Sequence, residues 1–448
     1  MEAKDTPPKP GINFSNSATL KIITIGVIIL VLLIPLLMVS SVIDERETRR
    51  DAVVQEINQK WGSDQTITGP YFTVPYNTLV KGENGKTERV IRYIHLLPKR
   101  LKISGNIDSH IRYRSIYEAV LYNAQITLTG NFSLPDLEML NINTKDILWE
   151  NAILSVGITD MKGIQDVIDV TFDTKHYALD PGLKTTDLAA SGVSRIIPLS
   201  PADTDNAFSL KLNLNGSEQL HFVPVGELTE INLKSGWPSP SFDGAFLPVS
   251  RKVTDDGFSA HWKLLHLNRN FPQVWLGNAY TLEDASSGVS LLITADVYQR
   301  ATRMSKYALM FIVFTFAAFF FSDVLSKKRI HPIQYLLIGL AIVLFYVLLL
   351  SVSEQLNFDL AYILSAASIT LMITAYSHGI VRNRFFTRIV FGILVVLYAY
   401  LYIVLQLEDY ALLMGSLGLL GVLGTVMYIT RNVDWYNLDD SEANVLGN

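Results

Sequence analysis

Histidines are the side chains of this sequence best suited to binding a metal ion or moving a proton, and there are eight: His95, His110, His176, His221, His261, His266, His331 and His378. A zinc site on one helix needs two histidines four residues apart, because that spacing puts both rings on one face. No pair has this spacing. The chain also has no cysteine, which excludes thiolate ligands, a cysteine nucleophile and disulfides. We therefore predict no metal site and no cofactor.

Motifs for nucleophilic or phosphate chemistry are missing as well. The sequence has no G-x-S-x-G elbow and no S-x-x-K. GENGKT at residues 82–87 resembles part of a P-loop, but the glycine required five residues before Gly85 is Val80. Asn84-Gly85 lies between two strand-like runs and predicts a two-residue hairpin turn. The sequence thus predicts no catalytic residue, and an enzyme remains only an alternative.

One stretch, GWPSPSFDGAFLP at residues 236–248, combines stiffness with apolar side chains. Its three prolines lack the N–H that a regular helix or a central strand requires. It is interpreted either as a rigid ledge that fills the edge of a β core or as a preformed surface that docks helices, lipid headgroups or a partner. The candidate residues are Trp237, Pro238, Pro240, Ser241, Phe242, Gly244, Phe246 and Pro248.

The composition indicates a membrane protein that carries a water-soluble part. Hydrophobic residues make up 49% of the chain and charged residues only 18%, and the net charge of −5 gives no reason to expect a nucleic-acid partner. Six apolar runs are close to the length of about 20 residues that a membrane helix needs. They span residues 20–43, 307–325, 333–353, 358–377, 389–407 and 410–430. We predict six transmembrane helices, with the lipid bilayer as partner.

The segment between the first two runs has a different pattern. Residues 45–61 have helical spacing and should continue the first helix outward until Gly62 and Ser63 end it. After them the period is mostly two, as where Leu210, Leu212 and Leu214 alternate with polar residues. AQITLTGNF, ILWENAILSVGI and GVSLLITADVYQ also resemble strands. We predict an α+β membrane protein with an antiparallel, sandwich-like β-rich domain inserted between helices 1 and 2.

Basic residues near the membrane predict the orientation. Ten of the eleven that lie outside residues 44–304 fall in the two tails and in alternate loops, and only Lys306 falls on the other side. The predicted parts are a cytoplasmic tail (1–19), helix 1 (20–43), an extracytoplasmic β-rich domain (44–304), a five-helix bundle (305–430) and a second cytoplasmic tail (431–448).

The predicted membrane helices carry charge only near their ends. Because coupled transporters need ionisable groups at depth, a transporter is the less favoured alternative. The last helix has glycines at every third position, which allow a neighbouring backbone to approach closely. These are Gly415, Gly418, Gly421 and Gly424. They indicate packing within the bundle or a dimer seam, and the oligomeric state stays open.

Several of these stretches together resemble one family. GWPSPSFDGAFLP resembles the W-P-x-P-S-F-x-G-x-F-L-P signature of the bacterial inner-membrane CreD family. The runs ATRMSKYALMFIVFTFAAFFF and RIHPIQYLLIGLAIVLFYVLLLSVSE are similar to its second and third membrane helices. TRNVDWY, GPYFTVPY and SVGITDMKGI also match, so the resemblance extends from the first helix to Tyr436.

The resemblance implies a bacterial inner-membrane location, a periplasmic β domain and a role in cell-envelope integrity. In some bacteria the family sits downstream of a two-component system and affects antimicrobial phenotypes. It supplies no catalytic residue or cofactor. The predicted function is to bind or scaffold envelope components during stress, with an envelope protein or lipid as partner. The alternatives are an envelope enzyme acting on lipid, glycan or peptide, and a transporter.

Overall fold

Two structural units divide the chain in the computed structural model. The β unit is Arg50–Thr294, and the helical unit combines Met1–Arg49 with Ala295–Asn448. The sequence-based bounds for the β domain were 44 and 304. The structure describes residues 18–81, 87–134, 140, 142–200, 205–293, 297–326, 330–406 and 411–431.

Six α-helices are described, and five of them, α1 to α5, are long and apolar enough to cross a membrane. They are α1 (Ala18–Trp61), α2 (Val297–Ser326), α3 (Pro332–Ser353), α4 (Phe358–Val381), α5 (Arg384–Gln406) and α6 (Ala411–Thr430). The predicted continuation of the first helix to Trp61 is confirmed, and Pro35 does not interrupt it. Gly62 follows with a φ of 148°, which ends the helix.

Aromatic rings hold the middle of the helical unit together. Tyr398 on α5 packs against Phe311 on α2 and Phe345 on α3, with ring centroids 5.2 and 4.8 Å apart. Tyr362 on α4 donates its hydroxyl to the Tyr398 carbonyl oxygen at 2.6 Å. Aromatic pairs in tilted arrangements of this kind stabilise a fold beyond the contribution of the apolar area that they bury. Residues from four helices therefore share one core.

The β unit contains seventeen strands within the described residues. They are β1 (Gln65–Lys81), β2 (Thr87–Leu96), β3 (Arg100–Arg114), β4 (Tyr117–Phe132), β5 (Ile153–Ile158), β6 (Asp169–Phe172), β7 (Lys175–Ala178), β8 (Asp180–Pro181), β9 (Gly192–Ile196), β10 (Asn206–Ser217), β11 (Gln219–Val223), β12 (Leu228–Ser235), β13 (Pro240–Gly244), β14 (Ser250–Thr254), β15 (Gly257–Leu265), β16 (Val274–Leu276) and β17 (Ser287–Leu291).

These strands form two sheets. The nine-stranded sheet has the order β13-β17-β11-β1-β5-β9-β8, and β2 pairs with both β1 and β16. The eight-stranded sheet has the order β14-β15-β12-β3-β4-β10-β6-β7. Phe72 of the first sheet packs on Phe132 and Phe172 of the second, with centroids 4.8 and 5.5 Å apart. The inner faces thus share one core, as in a sandwich.

The period-two pattern is confirmed where it was clearest. Leu210, Leu212 and Leu214 on β10 are all buried. The strands of the predicted hairpin are also confirmed, because β1 and β2 pair antiparallel as far as Lys81 and Thr87. The predicted Asn84-Gly85 turn itself lies outside the described residues. A large β-rich domain is therefore correctly predicted.

Three details of the predicted β domain are wrong. The sheets are not wholly antiparallel, because β1 pairs parallel with β11 and β3 pairs parallel with β12. Alternation shows which side chains face inward, but it does not show strand direction. In ILWENAILSVGI, Trp149–Asn151 form a 3-10 turn, and β5 begins only at Ile153. GVSLLITADVYQ ends in helix α2, which begins at Val297, because a short apolar run fits either structure.

Candidate functional site

Residues 236–249 form a strap that joins the edges of the two sheets. The strap follows β12 of the eight-stranded sheet and runs as β13 along the edge of the nine-stranded sheet. It then leads back to the eight-stranded sheet, where β14 begins. Pro240 can begin β13 because an edge strand tolerates a missing N–H. Gly244 ends β13 with a φ of 95°, where a Cβ would collide with the Ser286 carbonyl oxygen. The segment is therefore an edge strand in its middle, and not irregular throughout.

The aromatic side chains of the strap face the core. Phe242 is buried, with its ring 5.5 Å from Phe258 and 5.8 Å from Trp262 in the opposite sheet. Trp262 donates its indole N–H to the Phe246 carbonyl at 3.1 Å. Trp237 and Phe246 are half-buried and pack against the same core. Of the other candidate residues, Pro240, Ser241 and Pro248 are half-buried, and Pro238 and Gly244 are exposed.

A carboxylate fastens the strap to the nine-stranded sheet. Asp243 on β13 accepts a hydrogen bond from the Ser290 hydroxyl at 2.6 Å, and its other oxygen lies 2.7 Å from His221 Nε2. In a hydrolase triad the histidine stands between the hydroxyl and the carboxylate. Here the carboxylate stands in the middle, so the three side chains position the strap rather than activate the serine.

The strand that follows the strap, β14, borders a cleft on the outer face of the eight-stranded sheet. The cleft has a volume of about 670 Å³. Its floor is made of hydrogen-bonding side chains, among them Ser104, Asn106, Gln125, Thr127, Asn232 and His261. The same alternation that buries Leu233 turns Asn232 and Lys234 outward. Pairing places Asn232 between Ser104 on β3 and His261 on β15, and His261 Nδ1 lies 2.8 Å from Asn232 Oδ1.

The charge of this cleft is positive. Lys234 and Lys252 turn towards it, and no Asp or Glu is among its lining residues. Arg251 alternates to the inner face, where its guanidinium lies 5.9 Å from the centre of the Phe242 ring. Lys252 and Lys234 both pair with Ser259, one from each side, so they stand two strands apart, roughly 10 Å. Lys252 belongs to β14, the strand that follows the strap. The path of the strap therefore brings one of the two lysines to the cleft.

A hydroxyl, an imidazole and a carboxylate also line up inside the β unit. Thr73 Oγ1 lies 3.2 Å from His95 Nδ1, and His95 Nε2 lies 2.9 Å from Asp187. Burial lowers the pKa of His95, although Asp187 opposes the shift. The residues have the order of a hydrolase triad, but Thr73 is only 2% exposed and cannot meet a substrate. The arrangement pins the loop that carries Asp187 to the nine-stranded sheet, away from the cleft.

The glycines of α6 divide into two groups. A Cβ at Gly415 would lie 3.6 Å from the Tyr307 ring on α2, and one at Gly418 would collide with the Tyr400 hydroxyl on α5. A Cβ at Gly421 or Gly424 would meet no atom within 4 Å. The first two glycines thus allow packing inside the helical unit. The dimer seam stays a prediction for the other two.

Comparison with known proteins identifies the family of this chain. The family model described as "Inner membrane protein CreD" matches residues 17–436. The chain belongs to the CreD family. The Inner membrane protein CreD of Escherichia coli (strain K12) is 33% identical to it over 416 residues, which cover 91% of each chain. This CreD-family chain, with several apolar helices, is therefore a multi-pass inner-membrane protein, and the predicted family is confirmed.

The cleft of this CreD-family protein was missed by sequence reasoning, although part of its signal is present. The outward positions of β3 and β4 carry Ser104, Asn106, Gln125 and Thr127, all neutral and all able to hydrogen-bond. The parallel pairing of β3 with β12 then adds Asn232 and Lys234. That pairing joins distant segments, so a motif search over short spacings does not detect it.

Proposed function

We propose that this CreD-family protein supports cell-envelope integrity by binding an anionic envelope glycan in the cleft of its β unit. The cleft carries the proposal, because its lining joins hydrogen-bonding side chains with two lysines and no carboxylate. Sugar hydroxyls and N-acetyl amides match Asn, Gln, Ser and Thr side chains. Lys234 and Lys252 offer two positive charges to a carboxylate or phosphate.

The chemistry of the cleft favours a glycan over a lipid tail. An acyl chain needs an apolar surface, whereas the floor of this cleft is built from amides and hydroxyls. Only Leu233, Ala260 and Gly105 among its lining residues lack a polar side chain. Peptidoglycan offers the carboxylates of its peptide stems beside N-acetylated sugars, and lipopolysaccharide offers sugar phosphates. We assign the cleft to peptidoglycan, and a binding assay with both ligands distinguishes them.

The proposal includes six membrane spans, cytoplasmic termini and a periplasmic β unit. Helix α6, at 20 residues, is long enough for the sixth span. Ten basic residues in the tails and alternate short loops support the orientation. Two arginines at the opposite helix ends interact with other residues of the helical unit. Arg46 lies 3.9 Å from Glu354, and Arg300 lies over the Phe358 ring.

Cysteine labelling tests the orientation, because the chain has no cysteine of its own. An impermeant thiol reagent is expected to modify Lys175→Cys and Gln355→Cys in intact spheroplasts, since both positions are exposed on the proposed periplasmic side. Lys328→Cys and Asn444→Cys should react only after lysis. Modification of Lys328→Cys in sealed cells would reverse the proposed orientation.

Charge reversal tests the cleft. The double change Lys234→Glu and Lys252→Glu should weaken cosedimentation of the full-length protein in nanodiscs with peptidoglycan sacculi by at least about tenfold, or ~1.4 kcal/mol. The control reverses two exposed cations that do not line the cleft, Lys175 and Lys184, so both variants have the same net charge. Equal binding by the two variants would exclude the cleft, and preference for lipopolysaccharide would reassign its ligand.

The same variants connect the cleft to the cell. Cells without the protein should grow normally in rich medium but respond abnormally to detergents, membrane-active peptides and cell-wall antibiotics. The control variant should restore the normal response and the cleft variant should not, at equal protein level. Release of shortened glycan from sacculi by the purified protein would instead support the envelope-enzyme alternative.

A further inference from the structure

A smaller space, called the extension here, continues the cleft along β3 and β4 towards the start of the strap. It has a volume of about 250 Å³ and shares Asn106 and Gln125 with the cleft. The rest of its lining comes from the same two strands and the first position of the strap, namely Ile107, Asp108, Asn123 and Gly236. The two spaces therefore adjoin on the outer face of the eight-stranded sheet.

Strand pairing fixes the positions of the polar residues around the extension. Asn106 on β3 pairs with Gln125 on β4, and Asp108 pairs with Asn123. These residues alternate with buried ones along both strands, so all four turn outward. Lys234 on β12 pairs with Asn106 from the other side. Asp108 is therefore diagonal to Lys234, and strand spacing puts their Cα atoms roughly 8 Å apart.

The extension offers oxygen acceptors where the cleft offers cations. Each outward side chain that lines it from β3 and β4 ends in an amide or a carboxylate. No Lys, Arg or His is among its described lining residues, whereas Lys234 and Lys252 turn towards the adjoining cleft. Opposite charges thus belong to neighbouring parts of one continuous surface.

These opposite charges do not neutralise each other. Within the described part of the chain, neither the Asp108 carboxylate nor the Lys234 ammonium group makes an ion pair or a side-chain hydrogen bond. Both residues are exposed, and an ion pair between exposed side chains stabilises a fold little. Both charges are therefore available to a ligand that carries one charge of each sign.

We propose that Asp108 and Lys234 together bind a carbon atom that carries both an ammonium and a carboxylate group. The inference rests on the proposed function, because a diamino acid in a peptidoglycan stem has such a free end. Asp108 pairs with the ammonium group, and Lys234 pairs with the carboxylate. The ammonium group has three N–H donors, so the amide oxygens of Asn106 and Asn123 accept the remaining two.

Charge complementarity favours this ligand over a phosphate. A phosphate group bound at Lys234 would also lie near Asp108, and like charges repel each other. A zwitterionic end instead meets the opposite charge at both positions. The extension thus gives a physical reason for the assignment of the cleft to peptidoglycan.

Calorimetric titration of the full-length protein in nanodiscs with muramyl tripeptides tests the extension. One ligand ends in diaminopimelate, and the other is the same molecule acetylated on its free ammonium group. Acetylation removes the positive charge, so it should weaken binding to the unchanged protein by at least about tenfold. Asp108→Asn should bind both ligands with the weaker affinity, because it no longer distinguishes the charge.

A matched control changes a carboxylate elsewhere. Asp284→Asn removes an exposed charge that lines neither space, and it should retain the preference for the free ammonium group. If acetylation weakens binding equally in Asp108→Asn and in the unchanged protein, Asp108 does not contact the ammonium group and the inference is overturned. Equal binding of the two ligands by the unchanged protein would overturn it as well, and misfolding cannot cause that result.

Replacing diaminopimelate by lysine tests the second contact, because lysine lacks only the carboxylate at this end. The replacement should weaken binding to the unchanged protein by at least about tenfold and should have no effect on binding to Lys234→Gln. An equal effect on both proteins would overturn the assigned role of Lys234.

The outcomes separate this inference from the proposed function. Sacculus binding that depends on the cleft lysines, without any effect of acetylation, would leave the proposed function standing and overturn the inference. Binding of free diaminopimelate that depends on Asp108, with sacculus binding independent of the cleft, would support the inference and overturn the proposed function. The ligand would then be a free amino acid rather than a peptidoglycan stem.

Discussion

Phe242→Ala is expected to lower the free energy of unfolding of the β unit by about 3–5 kcal/mol, as for other buried phenylalanines. The ring lies between the two sheets, against Phe258 and Trp262, and its removal leaves a cavity at the edge where the strap closes the sandwich. Trp237→Ala should cost less, about 1–2 kcal/mol, because Trp237 is only half-buried. The measurement is urea unfolding of the full-length protein in nanodiscs, followed by tryptophan fluorescence.

Leu247→Ala is the matched control, since Leu247 is on the same strap and 67% exposed. It should change the unfolding free energy by no more than about 0.5 kcal/mol. If Phe242→Ala unfolds as Leu247→Ala does while envelope function is lost, the strap is a docking surface and not a core-filling ledge. The buried position of Phe242 favours the core-filling interpretation for this ring.

The β unit is also expected to lose stability on acidification through His95. Burial holds the pKa of His95 below that of the unfolded chain, so the unfolded state binds this proton first. The stabilisation is complete above about pH 6.5, falls as the pH drops through that value, and is lost below the folded pKa. Asp187→Ala should destabilise the protein at pH 7 by about 1–3 kcal/mol, because it leaves buried His95 Nε2 without its partner.

Comparison with His95→Gln isolates this contribution. Asp64 acts in the opposite sense, because partial burial raises its pKa, so the folded state takes up the proton first, and stability increases as the pH falls through about 6. Both the unchanged protein and His95→Gln contain Asp64, so its contribution to the pH dependence cancels when the stability of one is subtracted from that of the other. That difference in urea midpoint should shrink from pH 7.5 to 5.5. A constant difference would show that His95 does not titrate differently in the folded state.

Local patterns in the sequence predicted the elements well, because the forces behind them are local. The helical spacing of residues 45–61 correctly extended α1, and the alternation around Leu212 correctly gave a buried strand face. The prolines and aromatics of the strap correctly excluded a helix and a central strand. They could not show that the strap changes sheets, because that depends on which strands lie at the two edges.

The side-chain clusters were beyond local patterns for a related reason. His95 and Asp187 are 92 residues apart, and the hydrogen-bonded side chains of Asn58 and Glu218 are 160 residues apart. Motif spacing detects residues that share a helix face or a turn, so the search over the eight histidines found nothing. The cleft likewise depends on β3 and β12 being neighbours, which no alternation within either strand reveals.

The parallel pairing of β1 with β11 also sets when the β unit can fold. Gln65 pairs with Leu220, so the first strand waits for a neighbour that is synthesised 155 residues later. At 5–20 residues per second this interval is roughly 8–30 s. Such long-range contacts make folding slow, since a long loop must close before its contacts stabilise anything. Residues Gln65–Thr68 of β1 therefore spend their first seconds with this edge unpaired, in a state prone to aggregation.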